Sequence, residues 1–591
     1  MGKIDYKQYT TFTGYNDTIS PDNMHDTELK VCKNGIPSLG GGIEKRPGCA
    51  GFNETSFGNE VEWIKEWPFS DGSVKLVAVL KKTTGYELCL INENGAKISK
   101  CDVAIPSIGY VFYKDAMYFL DGQKYRVWGW FNYTTASGTQ AVTIGTVVKN
   151  FPISTHSTLP GIEGRYYRSL TNLGASVVLG TAAFGNTALW EDITNGVLAD
   201  HIIDVPAYSE SDNNLIPIKR CTMMEFHSRS LRFFFSGDSK DPAAVYFSES
   251  DKPNYIPATN KVYPTSAAGP VTGLRAFSRA LMVSYKRTWR FFSGTTVGID
   301  AIWKPLPIPY GCEANDSICL TPGSLTFLST EGICYISPSI LSSEEDTSTI
   351  VTTEASFGIL SDRKVEKTIK SIVNKSGCKA IYRGGKYYLS YCDTGPSDRN
   401  NKILVMDWDT KGFSQFTGIS ANYFCQRDNS DLLIASNNYI LKYGDVYNDV
   451  DVSTGGNKPI NFEVLSKPYN CGTPFLKFFE QLFLTAAQYI TINDSPLQIA
   501  LKADYRSQSY VTDLSESFVW GRSWDKIWGF GEIVNQWVPV NMKGFRAQIQ
   551  FVDNTIDNPI LIYGFFLKFS VISDISGDSI STPELVTDYN T

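Results

Sequence analysis

Side chains that could support catalysis are few in this sequence of 591 residues. The four histidines stand alone, with no His-Glu-x-x-His pair and no second ligand at metal-site spacing: His25, His156, His201 and His227. The sequence also lacks a Gly-x-Ser-x-Gly elbow and a Walker-type phosphate loop. We therefore predict that the chain is not an enzyme and holds no catalytic residue, no metal and no cofactor.

One acidic pair could do chemistry. Asp407 and Asp409 close an apolar run, and residues two apart on a strand share a face, so their carboxylates could serve as the acid and base of a glycosidase. The same letters, Asp-x-Asp-Thr-Lys-Gly, also form an ordinary turn after a strand. The Ser-x-Asp-x-Gly-x-Thr-Trp repeats typical of sialidases are absent. A turn and a carbohydrate-active pair remain as two interpretations of this stretch.

The composition favours packed β structure over helical bundles. Charged residues make up 19% of the chain and aromatic residues 13%, and turn formers are plentiful, with 48 glycines and 27 prolines. The net charge of -7 argues against a broad basic surface for nucleic acid.

The cysteines and the first residues indicate where the chain folds. Twelve cysteines occur without a Cys-x-x-Cys pair, and several stand inside apolar runs, as Cys89 and Cys334 do. A free thiol in such a run behaves as a small hydrophobe, so we expect unpaired cysteines and a reducing compartment. The start of the chain lacks the apolar core of a signal peptide, and no apolar run reaches about 18 residues. We expect neither secretion by signal peptide nor a membrane-spanning segment.

The elements that must position these residues are β-hairpins. A turn, an apolar run, a second turn and another apolar run recur about 45 to 60 residues apart, which is typical of a β-propeller. The first strands of these units lie near Leu231, Leu281, Leu325, Lys386 and Leu432. With a related unit at Met117, we predict about six blades.

We predict an all-β protein with a β-propeller, an inserted domain and a C-terminal β-sandwich platform. The predicted parts are an N-terminal arm (1–60), the propeller (61–130 and 219–445), an insertion between two blades (131–218), the sandwich (446–571) and an acidic C-terminal tail (572–591). The arm is rich in turn residues, the hairpin rhythm stops through the insertion, and the sandwich follows from longer apolar runs.

Two helices are predicted among the strands. One lies in the insertion, around Thr187–Leu198. The other spans residues 361–375, where Ser361 can cap an apolar stripe formed by Val365, Ile369, Ile372 and Val373.

The opposite face of the second helix is basic and includes Lys364, Lys367 and Lys370. It is either a solvated face or a contact with an acidic neighbouring subunit or DNA. An aromatic and glycine-rich loop with Trp520, Trp524 and Trp528 could stack on sugars or bases, but we favour a subunit interface. These six residues are the candidate subunit contacts.

Several motifs, taken in order, resemble the tail nozzle proteins of short-tailed bacteriophages over residues 1–130 and 220–570. In the arm the motifs are Ser20-Pro-Asp-Asn-Met24 and Gly42-Ile-Glu-Lys-Arg-Pro-Gly48. Downstream they are Val245-Tyr-Phe-Ser-Glu249, Pro253–Pro257, Tyr285–Gly294, Gly311-Cys312, Leu328–Ile333 and Leu404–Gly412. The insertion at 131–218 matches nothing in this family.

The resemblance implies a structural virion protein of the phage tail. Such a subunit assembles in the bacterial cytoplasm into a homo-oligomeric ring, a hexamer, below the portal and its adaptor ring. The propeller would lie outside, and the sandwich would form the wall of a conduit through which viral double-stranded DNA slides without sequence-specific contact. Tail fibres or receptor-binding proteins would be further partners. The alternative is a carbohydrate-binding or carbohydrate-active propeller that acts as a receptor-binding tail protein through Asp407 and Asp409.

Overall fold

The chain forms two compact units in the computed structural model. One unit combines residues 1–46 with residues 461–591, and the other holds residues 47–460. The structure describes residues 4–38, 40–53, 56–69, 72–113, 116–129, 133–135, 139–142, 147–149, 166–171, 174–178, 186–192, 202–205, 215–265, 269–294, 303–341, 357–361, 364–395, 399–427, 431–444, 446–451, 453–488, 497–504, 506–512 and 532–572. The boundaries between the units fall after Arg46 and Ile460, whereas the sequence predicted them after residues 60 and 445. The difference arises because strand pairing decides the boundaries, and local composition does not show which strands pair.

The predicted arm contributes strands to both units. Five strands belong to the first unit: β1 (Ile4–Tyr9), β2 (Gly14–Tyr15), β3 (Glu28–Lys33), β4 (Gly35–Pro37) and β5 (Ile43–Lys45). A sixth, β6 (Cys49–Gly51), belongs to the second unit.

The second unit is a β-propeller. Blade 1 is formed by β7 (Val61–Pro68), β8 (Val74–Lys81), β9 (Tyr86–Ile91) and β10 (Lys97–Val103). Blade 2 begins with β11 (Gly109–Tyr113), β12 (Ala116–Leu120) and β13 (Tyr125–Gly129). Six inserted strands follow: β14 (Tyr133–Thr135), β15 (Thr139–Val142), β16 (Val147–Lys149), β17 (Tyr166–Ser169), β18 (Gly174–Val178) and β19 (Trp190–Asp192). The fourth strand of blade 2 is β20 (Ile202–Asp204).

A short helix, α1 (Leu215–Lys219), leads into the next three blades. Blade 3 holds β21 (Met223–His227), β22 (Arg232–Ser236), β23 (Val245–Phe247) and β24 (Lys261–Val262). Blade 4 holds β25 (Val271–Phe277), β26 (Ala280–Tyr285), β27 (Trp289–Phe292) and β28 (Lys304–Pro305). Blade 5 holds β29 (Cys319–Thr321), β30 (Ser324–Leu328), β31 (Ile333–Ile336) and β32 (Phe357–Ile359).

Helix α2 (Glu366–Ser371) precedes the last two blades. Blade 6 holds β33 (Lys379–Arg383), β34 (Lys386–Tyr391), β35 (Lys402–Asp407) and β36 (Phe413–Thr417). Blade 7 holds β37 (Tyr423–Gln426), β38 (Leu432–Ser436) and β39 (Tyr439–Tyr443), and β6 is its fourth strand. The short strands β40 (Asn448–Val450) and β41 (Asn457–Pro459) extend this sheet.

The described strands therefore make seven four-stranded blades, one more than the six predicted. The blade not counted from the sequence is blade 1, although its second strand, β8, is an apolar run of the kind used for the count. One buried cluster joins Trp63 of blade 1, Trp128 of blade 2 and Leu433 of blade 7, so the ring is closed by side-chain packing as well as by β6.

The insertion lies inside blade 2 and not between two blades. Strand β20 pairs with β13, with Ile203 opposite Val127, so the chain leaves blade 2 after its third strand and returns as its fourth. The predicted helix at Thr187–Leu198 is wrong where it is described: residues 187–189 form a turn and Trp190–Asp192 is strand β19, paired with β17. Residues 193–198 lie outside the described residues.

The helix predicted over 361–375 is shorter than expected. Ser361 does not cap α2, because its hydroxyl accepts a hydrogen bond from the backbone N–H of Ile333 in β31 at 2.9 Å. Of the predicted apolar stripe, Val365, Ile369 and Ile372 are buried, but Val373 is 46% exposed. In the described part of the chain, no helix combines the length and apolar character needed to cross a membrane.

The first unit is a β-sandwich completed by the N-terminal strands. Its remaining strands are β42 (Phe462–Ser466), β43 (Lys477–Gln488), β44 (Leu497–Ala503), β45 (Arg506–Thr512), β46 (Glu532–Gly544), β47 (Ala547–Asp553) and β48 (Ile560–Val571). One sheet has the order β4-β5-β48-β43-β46, with β1 paired to β48; the other runs β3-β42-β47-β44-β45, with β2 beside β3. A single core of apolar residues from both sheets includes Tyr9, Leu29, Phe479 and Phe551.

Two lysines are fully buried in this sandwich. The ammonium of Lys45 lies 2.6 Å from a carboxylate oxygen of Asp553, with neither side chain exposed, and it also donates to the carbonyl of Thr555 at 3.0 Å. Lys477 forms no ion pair among the described residues; its ammonium donates to the carbonyls of Thr473, Phe475 and Phe545 at 2.7 to 2.8 Å. Burial lowers the pKa of Lys477.

Gly48, the last residue of the Gly42–Gly48 motif, sits where no side chain fits. A Cβ atom added there would lie 1.9 Å from the backbone carbonyl oxygen of Asn448 in β40. Gly48→Ala is therefore expected to destabilise the propeller by about 1–3 kcal/mol, because backbone would have to move. The unfolding transition of the propeller, followed by calorimetry, measures this.

Gly456→Ala in the same unit is the matched control. The nearest atom to an added Cβ there is the hydroxyl of Thr454 at 3.4 Å, so a change within about 0.5 kcal/mol is expected. Equal effects of the two substitutions would contradict the crowding at Gly48.

Candidate functional site

The predicted basic contacts are partly used within the chain. The ammonium of Lys364 donates to the carbonyl of Lys411 at 2.9 Å, and Lys370 forms an ion pair with Glu366 one turn away on α2. Lys367 is exposed. The predicted contacts Trp520, Trp524 and Trp528 and the acidic tail from residue 573 lie outside the described residues. A role of these lysines and tryptophans in subunit contacts stays a prediction.

The carboxylate of Asp407 holds a turn. One of its oxygens accepts from the backbone N–H groups of Asp409 and Thr410, at 3.1 and 2.9 Å, and from the Thr410 hydroxyl at 3.0 Å. Asp407 is buried, whereas Asp409 is exposed. The geometry favours the turn over a pair of catalytic carboxylates, because the Asp407 oxygen that would act on a sugar already stabilises the turn.

The histidines and cysteines have structural surroundings where the structure describes them. His227 is buried between the Ser230 hydroxyl (2.9 Å) and the Arg279 carbonyl (3.1 Å), and burial lowers its pKa. His156 and His201 lie outside the described residues. Within the described ranges, no three His, Cys, Asp or Glu side chains group as metal ligands would. All twelve cysteines are free thiols, as expected, and all but Cys101 are buried.

The centre of the propeller holds a cavity of about 830 Å³, which we call the channel. Its lining comes from the first strands of the blades and the turn before β29. Five charged residues line it, Lys65, Glu66, Glu225, Arg275 and Asp316; Lys379 and Arg427 lie beside them as the ion-pair partners of Asp316 and Glu66.

Two ion pairs cross between blades around the channel. The Arg275 guanidinium lies 3.5 Å from the Glu225 carboxylate, and the Lys379 ammonium lies 2.5 Å from the Asp316 carboxylate. Ser107 also donates to Asp316 at 3.0 Å. Burial alone would raise the pKa of Asp316, but Lys379 outweighs it and holds that pKa below its ordinary value. Burial raises the pKa of Glu225, and Arg275 offsets this only in part.

Lys65 is the third cation of the channel. No carboxylate among the described residues forms an ion pair with it; its ammonium instead lies 5.3 Å from the ring centre of Tyr423 and 6.0 Å from that of Tyr110. Burial disfavours the charge of Lys65, but Tyr110 and the thiol of Cys425 favour it, and the pKa is raised overall. The Lys65 ammonium is therefore charged and lies between aromatic rings in the channel.

The outer surface of one sandwich sheet carries an aromatic face, formed by Tyr6, Phe483, Phe566 and Trp537. Phe483 stands opposite both Trp537 and Phe566 in the strand register, with ring centres 4.7 and 5.5 Å away. Trp537 is 48% exposed and Tyr6 is 59% exposed. A group of exposed aromatic side chains of this kind marks a protein contact more often than a solvated surface.

Sequence reasoning missed both the channel and the aromatic face. The channel could have been recognised in the sequence from charged residues within the first strands of the blades, as in Lys65 of β7, Glu225 of β21 and Arg275 of β25. The aromatic face was missed because strand β46 was not predicted, so the sequence did not show which of its residues point outward.

Seven four-stranded blades define the larger unit as a β-propeller, and two packed sheets define the other as a β-sandwich. No protein-family model matches the chain. No curated protein matches it significantly.

Solved propeller structures show distant similarity. The WD40 domain of Pan2 from Neurospora crassa is 8% identical at a TM-score of 0.33, with 68% of this chain and 96% of that chain covered. PorZ, a surface component of the type-IX secretion system of Porphyromonas gingivalis, is 11% identical at a TM-score of 0.31, with 79% of this chain and 46% of PorZ covered. An exo-β-1,3-galactanase from Phanerochaete chrysosporium is 9% identical at a TM-score of 0.22, with 80% and 98% covered. Likenesses at this level assign no activity, substrate or partner to this chain.

Proposed function

We propose that the chain is a structural subunit of a ring-shaped tail nozzle of a short-tailed bacteriophage. The ring would lie below the portal-adaptor ring in the virion, retain the genome and release it through its lumen, and carry tail fibres or receptor-binding proteins. The proposal assigns no catalysis to the chain. The observation that carries it is the aromatic face of the sandwich, which offers a surface for assembly.

The residues behind the family resemblance support the proposal because they have structural roles. Lys45 and Arg46 of the arm motif are fully buried, and Arg46 donates to the side-chain oxygen of Asn34 at 2.8 Å. Gly311 has the same kind of constraint as Gly48, since a Cβ atom there would lie 1.7 Å from the carbonyl oxygen of Tyr285. Motif residues with such roles fix the course of the backbone, as expected in a family whose members share a structural role.

The aromatic face supports self-association in particular. The face also carries one ion pair, because Lys568, which stands opposite Tyr6, lies 3.0 Å from Glu480. The face thus presents aromatic area with a paired charge, and aromatic residues are enriched at subunit interfaces. Aromatic anchors of this type carry most of the binding energy when they are buried by a partner.

Trp537→Glu is expected to abolish ring formation. A carboxylate at the centre of a buried aromatic contact would lack a partner and would weaken each interface by about 2 kcal/mol or more. Mass photometry and negative-stain images of the purified chain measure the result: rings with an axial hole for the unchanged protein, and single subunits for the variant.

Ile98→Glu is the control, since Ile98 is a comparably exposed apolar residue on the outer strand of blade 1 and should leave assembly unchanged. An unchanged chain that stays monomeric under all assembly conditions would overturn the proposed function. Rings formed equally well by Trp537→Glu would remove the aromatic face from the interface.

A further inference from the structure

We propose that the propeller channel is a binding site for a small hydroxylated anion of the acidic monosaccharide class. This inference goes beyond the proposed function and does not rest on it. It concerns a cavity within a single propeller, whereas ring assembly concerns the sandwich.

The charge balance of the channel calls for an anion. Counting the lining charges with their ion-pair partners, Lys65, Arg275, Lys379 and Arg427 supply four positive charges and Glu66, Glu225 and Asp316 supply three negative ones, so one positive charge is left over. The surplus falls on Lys65, which forms no ion pair among the described residues and lies beside the rings of Tyr110 and Tyr423. A partly buried charge without an ion-pair partner is costly, and a carboxylate from a ligand would relieve that cost.

The walls of the channel suit a sugar ring. Tyr110, Tyr382 and Tyr423 line it, and the faces of Tyr110 and Tyr423 turn toward Lys65. Aromatic faces pack against the C–H groups of a sugar, and the tyrosine hydroxyls can bond its hydroxyl groups. The volume of about 830 Å³ lies within the usual range for small-molecule sites and is ample for one or two sugar rings.

The carboxylates decide between an acidic sugar and inorganic phosphate. Glu225 and Asp316 can accept hydrogen bonds from sugar hydroxyls, but they would repel a doubly charged phosphate. Arg275, the side chain best suited to phosphate, already faces Glu225. Lys65 without an ion-pair partner among the described residues, the acceptor carboxylates and three tyrosines fit a single carboxylate with several hydroxyls better than a phosphate.

Isothermal titration of the unchanged full-length chain tests the site with three probes: glucuronate, glucose and inorganic phosphate. We expect glucuronate to bind and glucose to bind at least about tenfold more weakly, because it lacks the carboxylate for Lys65. Phosphate should not compete with glucuronate. No binding of glucuronate, equal binding of glucose, or equal binding of phosphate would each overturn the proposal.

Lys65→Met then assigns the binding to the channel. It removes the charge and keeps an apolar chain between the tyrosines, so glucuronate affinity should fall at least about tenfold while glucose affinity stays the same. Lys75→Met is the matched control, because Lys75 also lies over aromatic rings in blade 1, those of Trp67 and Phe69, but outside the channel. Equal losses in both variants would overturn the site. The comparison of sugars uses the unchanged protein, so it decides the proposal even if Lys65→Met does not fold, and neither result depends on ring formation.

Discussion

Lys45→Met is expected to lower the free energy of unfolding of the sandwich unit by about 3–5 kcal/mol. The reason is the carboxylate that remains: Asp553 has no exposed side-chain surface and loses the cation 2.6 Å away. Thr555 and Asn558 still donate to Asp553, but neutral donors do not replace a charge in a buried site. Calorimetric unfolding, with the sandwich transition separated from that of the propeller, measures the loss.

Two further variants make the measurement specific. Lys33→Met removes the partner of Glu463 from an ion pair in which both side chains keep contact with solvent, 39% and 20% exposed, so it should cost no more than about 1 kcal/mol. Lys45→Met combined with Asp553→Leu should recover much of the loss, because no unpaired charge stays buried. A loss for Lys45→Met no larger than that for Lys33→Met would show that the buried pair is not what stabilises this unit.

Raising the pH above about 9 is expected to unfold the protein steeply. Burial raises the pKa of the thiols of Cys32, Cys89, Cys312, Cys334 and Cys378 to about 12, from an ordinary value of 9.0, and those of Cys425 and Cys471 to about 11. The folded chain keeps these protons where the unfolded chain releases them. The stabilisation is complete below pH 9 and is lost as the pH rises toward 11 to 12, at about 1.4 kcal/mol per pH unit for each thiol.

The effect should differ between the two units. Of the ten thiols whose pKa burial raises, eight belong to the propeller and two, Cys32 and Cys471, to the sandwich, so the propeller transition should shift to lower temperature more steeply with pH. Thiolate absorbance in the ultraviolet should rise together with the loss of near-ultraviolet circular dichroism. Thiols that ionise near pH 9 while the fold stays intact would contradict the burial that the structure shows.

The propeller was predictable from sequence because each blade repeats a local hairpin, and turn and strand chemistry are local. The closure of the propeller ring could not be predicted. Strand β6 has only three residues, and its partner β39 lies about 390 residues later, so no window of sequence shows their pairing. The arm reads as loops because β2, β4 and β5 are only two or three residues long. Strands β4 and β5 pair with each other, but β5 joins its sheet only through the distant strand β48.

Among the candidate sites, too, local features were predictable from the sequence and long-range ones were not. The turn at Asp407 was one of two interpretations because it is formed by neighbours in sequence, and the structure favours it. The channel could not be predicted as a site, because Lys65, Arg275 and Asp316 come from three blades and only the ring brings them together. The helix at 361–375 was overextended, because the sequence did not show that the Ser361 hydroxyl bonds to β31.

The division of the sandwich has a consequence for biosynthesis. Strand β1 pairs with β48, Ile4 opposite Ser570, so the first strand made must wait for the last before the unit can form. The whole propeller, residues 47–460, is translated in between, which at about 5–20 residues per second takes tens of seconds. A nascent chain therefore displays β1 without its partner until β48 has been made, and a chain that stops before β48 never pairs it. Chains that stop before β48 should thus be selectively recognised by chaperones and proteases.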